Sequence, residues 1–341
     1  MYRVRNAITT ALASGLLLTM AAPAFGQSAP RQPDPILGGY RATVVAVGDI
    51  ACAPRVPVTP YECQHAETAK LAERLGPDRV LVLGDTQYFD GTPEEFEKSY
   101  RPTWGRLQSR TLPVVGNHEY HVEGAAGYFS YFGAAAGAPD QGWHANGLAG
   151  WRLIGLNSMC SKVGGCVEGS PQQVWLQQEL RTNRSRCTIA FWHHPRYSST
   201  RTRRGGVNGL WRTLQSEGAD IVLAGHDHHY ERFAPMNVNR TLNYRDGLRS
   251  WVVGTGGQNL FSPAEYKWTP GSEKFLAEFG VLRLTLYEFG YRWAFVNTRG
   301  ETSDSGFDTC HGKPKVPVTK PPPPPKPAPL PDPAPVPDTE P

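Results

Sequence analysis

The apolar and polar positions of this chain form a recurring phrase: a short aliphatic, β-branched run that stops at an Asp, Asn or His. In ADIVLAGHDHHYER (residues 219–232), Ile221, Val222 and Leu223 lead to Gly225, then to His226, Asp227, His228 and His229. TVVAVGD ends at Asp49, and RVLVLGD ends at Asp85 with Tyr88 just beyond. LPVVGNHE ends at Asn117 and His118, and CTIAFWHHP at His193 and His194. Runs of this length and composition predict buried strands. Each polar cluster then sits at a strand's carboxyl end, where open α/β sheets bind ligands. His226 and His228 are two apart, so in extended chain both imidazoles face one side.

Between these runs the spacing predicts helices. Residues 64–75 place Ala69, Ala72 and Leu75 on one face and stop at Gly76-Pro77. Residues 93–100 open with Pro93, a favourable first helical residue. Ser170-Pro171 caps a helix to about residue 183 with Val174, Leu176 and Leu180 inward, and residues 209–217 form a shorter one. Further strands are expected at 151–157 and 251–253, with a hairpin of 281–287 and 291–297 around Phe289-Gly290. Residues 124–150, rich in Gly and Ala, read as an ordered loop packed by Tyr128, Phe129, Tyr131, Phe132 and Trp143. Early strands alternate with helices and later ones pair as hairpins. That pattern implies two packed sheets with helices on their outer faces.

Composition narrows the class. The 341 residues carry 35 basic and 31 acidic side chains, a net charge of +4 that gives no nucleic-acid signature. Residues 1–26 read as an export signal: Arg3 and Arg5, an apolar run at 11–22, then Ala24-Phe25-Gly26 as a small-x-small cleavage site. The run is too short to span a membrane. Residues 27–40 read as a linker, 41–311 as the folded domain, and 312–341 as a proline-rich, extended, disordered tail. In an exported protein, six cysteines suggest three disulfides. Local spacing pairs Cys52–Cys63 and Cys160–Cys166, leaving Cys187 with Cys310; the alternative zinc-thiolate site lacks a C-x2-C spacing. Five strand ends carrying Asp, Asn and His read as one metal site fed by five loops. Imidazole pairs suit zinc, iron or copper.

The blocks GD at Asp49, GDxxY at Asp85 and Tyr88, GNHE at Asn117, His118 and Glu119, the strand-end His193, and GHxHxYER at His226 and His228 resemble the calcineurin-like metallophosphoesterases. Within that superfamily they look most like the purple acid phosphatases. The resemblance implies an α/β fold, a four-layer α/β/β/α sandwich of two mixed sheets flanked by helices. It also implies two metal ions. Asp49, Asp85, Tyr88 and His228 would hold the first, and Asp85, Asn117, His193 and His226 the second, so that Asp85 bridges. His118 would bind phosphate with Asn117 and protonate the leaving oxygen rather than ligate. Two such cations lower the pKa of a bound water, and the resulting hydroxide attacks phosphorus. Tyr88 as phenolate favours Fe(III) at the first site, with Fe, Zn or Mn at the second. Many relatives carry a His two residues after the first Asp; here that residue is Ala51, and Tyr88 replaces the ligand. The extra histidines that plant enzymes place after the strand-end His are absent from PRYSSTRTRRGG, where Arg196, Arg201, Arg203 and Arg204 offer phosphate contacts instead. The N-terminal accessory domain of the large plant enzymes is expected to be missing.

Other polar residues have plainer readings. His194 should point away from His193 and act structurally. His229 reads as substrate contact or solvated loop, Glu119 as a loop-stabilising acceptor, and Tyr230-Glu231-Arg232 as a brace for the His loop. His65, His121, His144 and His311 read as surface or packing residues, with His121 close enough to the Asn117 loop to keep a functional reading beside that one. The functional expectation is a secreted or periplasmic dinuclear phosphatase acting on small phosphate monoesters. A phosphodiesterase or nucleotidase using the same site is the alternative. A non-catalytic cell-wall protein attached through its tail is the third reading.

Overall fold

The strand runs pair as their burial requires. The computed structural model describes residues 34–200, 206–261 and 266–311; the signal, the first half of the linker, Arg201, Arg203, Arg204 and the proline-rich tail lie outside them. The strands are β1 (Tyr40–Val47), β2 (Arg79–Leu83), β3 (Thr111–Val114), β4 (His144–Leu148), β5 (Trp151–Gly155), β6 (Cys187–Phe191) and β7 (Ile221–Ala224). They continue with β8 (Tyr230–Met236), β9 (Leu248–Val253), β10 (Ser272–Leu276), β11 (Gly280–Tyr287), β12 (Gly290–Asn297) and β13 (Thr302–Thr309). One sheet has the order β13-β12-β11-β1-β2-β3, the other β10-β8-β9-β7-β6-β5-β4. Both are mixed: β1, β2 and β3 run parallel, as do β5, β6, β7 and β9, with antiparallel strands outside them.

Alternation along the strands builds two cores. In β6, Ile189 and Phe191 share a core with Leu223, Val253 and Val281 from both sheets. Ala190 and the following Trp192 pack instead with Leu176 and Leu180 of α4 (Pro171–Thr182) and Leu210 and Trp211 of α5 (Asn208–Ser216). A strand buried on both faces must read as a continuous apolar run, as these central strands do. On the other sheet, α1 (His65–Leu75) lays Ala69, Leu71 and Ala72 on the core and touches β11. The α/β/β/α sandwich expected from the sequence is present. Each fully buried Leu, Ile or Phe contributes roughly 1.5–3 kcal/mol.

Some expectations fail for local reasons. Residues 124–150 are not one loop: Tyr128, Phe129 and Phe132 face inward from a helix, Ala126–Phe132, and residues 144–148 form β4 on β5. Gly147 and Asn146 in β4 hid its strand pattern. Val174 is exposed; Gln172 and Gln173 take the inner face of α4 with Leu176 and Leu180. Ser170 opens α4, but its hydroxyl donates to the Val167 carbonyl rather than capping. The helix opened by Pro93 has its capping box on Thr92 and Glu95 and passes into a wider turn over Phe96–Tyr100.

All three anticipated disulfides are closed: Cys52–Cys63, Cys160–Cys166 and Cys187–Cys310. Among the described residues no helix is long and apolar enough to cross a membrane. The Cys187–Cys310 bridge ties the start of β6 to the end of β13 across 123 residues of sequence, so it restricts the unfolded chain most. Replacing both cysteines with serine should lower unfolding stability by about 4 kcal/mol in a urea titration. An unchanged midpoint would contradict this assignment of its role.

Candidate metal centre

The carboxyl ends of β1, β2, β6, β7 and β9 are joined through main chain. Gly48 N–H donates to Val253 O at 2.8 Å, Gly256 N–H to Gly48 O at 3.0 Å, and Gly225 N–H to His193 O at 2.9 Å. The two Gly48 bonds link the two sheets at the end where the polar clusters sit; the third joins β6 to β7 within one sheet. Glycine permits the approach. A Cβ on Gly116 would lie 2.1 Å from Asp85 Oδ1, and one on Gly225 would lie 2.7 Å from Asp49 Oδ2. Asp49, Asp85 and His226 have φ of 60°, 45° and 70°, a left-handed backbone that costs energy in non-glycine residues and concentrates at functional sites.

The predicted side chains meet. Tyr88 OH lies 3.0 Å from Asp49 Oδ1, 3.0 Å from His228 Nε2 and 3.2 Å from Asp85 Oδ2. His193 Nε2 lies 3.1 Å from Asn117 Oδ1, 3.2 Å from His226 Nδ1 and 3.2 Å from Asp85 Oδ2. Asp85 therefore stands between two groups of donors: Asp49, Tyr88 and His228 on one side, Asn117, His193 and His226 on the other. His118 lies at the rim, its Nε2 3.9 Å from Asp85 Oδ2 and its own N–H donating to Asp85 Oδ1 at 2.9 Å.

A surrounding layer fixes these groups. Leu83 O accepts from His193 Nδ1 at 2.8 Å, so Nε2 faces the cluster. Asn259 Oδ1 does the same for His228 Nδ1 at 2.9 Å. Asp49 Oδ2 receives the His226 N–H at 2.8 Å. Glu119 accepts main-chain N–H bonds from Asp85, Thr86, Gln87 and Gly116 at 2.6–3.2 Å, holding the Asp85 loop against the Asn117 loop. Its reading as a loop-stabilising acceptor is borne out.

Electrostatics follow from burial. Asp49 and Asp85 are essentially inaccessible, and buried anions need compensating positive charge. Burial opposes the charge on Asp85, but the facing His193 imidazolium outweighs it and holds the carboxyl well below its usual range. Burial likewise opposes charge on His193, and Asp85 overcomes it, raising the imidazole to about 9. Burial and then Asp85 raise Glu119 to about 7. Burial, Asp49 and Asp85 push the Tyr88 phenol well above 10. The all-oxygen-and-nitrogen donor set, with carboxylates and imidazoles aimed at each other, fits first-row transition ions. A bound cation would take over the compensation that His193 supplies.

Three expectations need correction. The chain bends after β6, so His194 does not point away: its ring lies 4.9 Å from that of His193 and 4.4 Å from that of His226, with Ser158 Oγ 3.0 Å from its Nδ1. His229 is neither solvated nor at the rim; it is buried, 3.2 Å from Glu231 Oε2 and stacked on Phe275. Arg196 turns from the site to the Val238 carbonyl, 2.7 Å away. Glu231 faces His229 of the His loop and accepts the Ser199 N–H from the loop after β6, whereas Arg232 pairs with Asp304 and Glu273. Asn259 escaped sequence reading because a lone Asn after a Gly pair carries no signal. His121, whose nearness to the Asn117 loop keeps a functional reading open, stands with its ring 4.9 Å from that of His118.

The fold and the cluster define a metallophosphoesterase-type centre. Residues 42–230 match the model of the calcineurin-like phosphoesterase family, and the chain belongs to that family. Within it, the chain is similar to purple acid phosphatase 15 of Arabidopsis thaliana, 26% identical over 234 residues, covering 57% of this chain and 43% of that protein. An uncharacterised protein of Mycobacterium tuberculosis is 30% identical over 186 residues, 48% of this chain and 33% of its own. The chain thus spans less than half the length of these curated relatives. The solved purple acid phosphatase from yellow lupin seeds superposes with a TM-score of 0.64 at 19% identity, over 79% of this chain and 54% of that one, a likeness of fold.

The proton positions give a test. Native Glu119 and His193 bind protons more tightly than their unfolded counterparts, Glu119 between about pH 4.5 and 7 and His193 between about 6.5 and 9. Both contributions are lost as pH rises. Buried His65, held down to about 4, works the opposite way between about pH 4 and 6.5, so the melting temperature of metal-free protein in chelator should fall from about pH 7 to 9, where His193 loses its proton. A flat or rising profile would contradict these assignments.

Proposed function

We propose that this chain is a dinuclear metal-dependent phosphatase acting on small phosphate monoesters. The observation that carries the reading is the Asp85 carboxylate, set 3.2 Å from both Tyr88 OH and His193 Nε2 and so shared by two donor groups. Asp49, Asp85, Tyr88 and His228 would hold one ion; Asp85, Asn117, His193 and His226 would hold the other. Bound there, the ions would polarise phosphoryl oxygens and lower the pKa of a coordinated water towards neutrality.

The chain's own groups supply the rest. His118 is partly exposed, and its Nδ1 lies 2.6 Å from the Phe89 carbonyl oxygen. A carbonyl accepts only, so Nδ1 keeps its hydrogen and Nε2 remains for the substrate. With a hydrogen on both ring nitrogens, His118 binds phosphate beside the Asn117 amide and gives its Nε2 proton to the departing oxygen. Tyr88 must lose its proton to ligate, and its phenolate oxygen suits Fe(III), with Fe, Zn or Mn opposite. The three disulfides support folding in an oxidising compartment, in keeping with export.

Purified, metal-loaded protein should hydrolyse 4-nitrophenyl phosphate faster than bis(4-nitrophenyl) phosphate, and His118→Ala should reduce kcat about 100-fold or more. No turnover with Fe, Mn or Zn would overturn the enzyme reading; faster diester cleavage would replace it with a phosphodiesterase. Iron-loaded protein should also show a visible phenolate band that Tyr88→Phe abolishes. A colourless active enzyme would remove Fe(III) from the account and leave the phosphatase.

A further inference from the structure

The rim beside His118 is a continuous set of rings leading from the cluster to solvent. Tyr88 packs 4.3 Å from His118, centroid to centroid, and 6.3 Å edge-on from Phe89. His118 packs 4.9 Å from His121. Phe89 is 49% exposed and the His121 side chain 50%, whereas Tyr88 is buried. Single exposed aromatics are ordinary. This one is tied to the residue assigned to the leaving group, because the Phe89 carbonyl oxygen receives both His118 Nδ1 at 2.6 Å and His121 Nδ1 at 3.1 Å. The same His121 nitrogen lies 3.0 Å from Asp90 Oδ1. His121 thus pins the peptide that carries the Phe89 ring, and His121 and Asp90 satisfy each other's polarity.

We propose that Phe89 and His121 form a leaving-group subsite that favours phosphate monoesters of aromatic alcohols. The inference rests on the phosphatase reading and adds a substrate class to it. With phosphate held at the cluster, the ester oxygen faces His118, and the alcohol it belongs to extends along the adjoining rings. An aromatic alcohol packs on such a surface in the offset or edge-on arrangements that aromatic pairs prefer. An aliphatic polyol leaves the Phe89 face wetted. Phe89 sets the apolar face, and His121 acts as a positioning residue through the Phe89 peptide.

The test compares phenyl phosphate with glycerol 2-phosphate on metal-loaded full-length protein. Wild type should favour phenyl phosphate in kcat/KM. In Phe89→Ala the phenyl-to-glycerol ratio of kcat/KM should fall about 3- to 10-fold, with the loss in KM for phenyl phosphate, the range expected for one aromatic contact. Phe89→Tyr, which keeps the ring, should restore the ratio. His121→Ala should lower it in the same direction, because the peptide loses its second tether. A ratio that stays within twofold of wild type in folded, metal-loaded Phe89→Ala overturns the subsite and leaves the phosphatase standing. Equal losses on both esters, not rescued by Tyr, overturn it too, since they mark damage to the neighbouring Tyr88. Wild-type protein that hydrolyses neither ester overturns the phosphatase reading and the subsite with it.

Discussion

The architecture depends on one buried carboxylate. Asp85 sits at the end of β2, almost without contact with solvent, against the bare main chain of Gly116. One oxygen receives the His118 N–H; the other lies between Tyr88 and His193. A charge in that position is expensive unless positive partners surround it. Much of what is unusual nearby serves that requirement. The glycine leaves room, the left-handed backbone at Asp85 turns the side chain inward, and four main-chain N–H groups on Glu119 hold two loops at a fixed separation.

The two sheets give this arrangement its stiffness. Their central strands are buried on both faces, so their ends cannot drift without disturbing two cores at once. The main-chain bonds from Gly48 to Val253 and from Gly256 to Gly48 extend that rigidity to the loops. Side chains on such ends would meet a metal ion close to their working geometry, which is what pre-organised metal and phosphate chemistry needs. The rim behaves differently: His118, His121 and Phe89 stand partly in solvent.

The sequence discloses the site better than it discloses the fold around it. Asp49, Asp85, Asn117, His193 and His226 were legible because apolar runs end on them, and each run is a strand whose face and length burial dictates. Tyr88 and His228 were legible from short fixed offsets to those ends. The failures are of another kind. β4 carries Asn and Gly, so its place in the sheet comes from pairing with β5 rather than from its own pattern. Alternation misled for His194, because the strand ends three residues earlier at Phe191. His229 seemed a loop residue because its partners, Glu231 and Phe275, are brought to it by β8 and β10, strands that no periodicity announced.

Metal stoichiometry in single-ligand variants tests most directly whether Asp85 joins two ion sites. Reconstituted wild-type protein, freed of loosely held metal and measured by mass spectrometry, should carry two ions per chain. Asn117→Ala should retain one. Asp85→Ala should fall below one, because both donor groups lose a member. Two ions retained in folded Asp85→Ala would contradict the account.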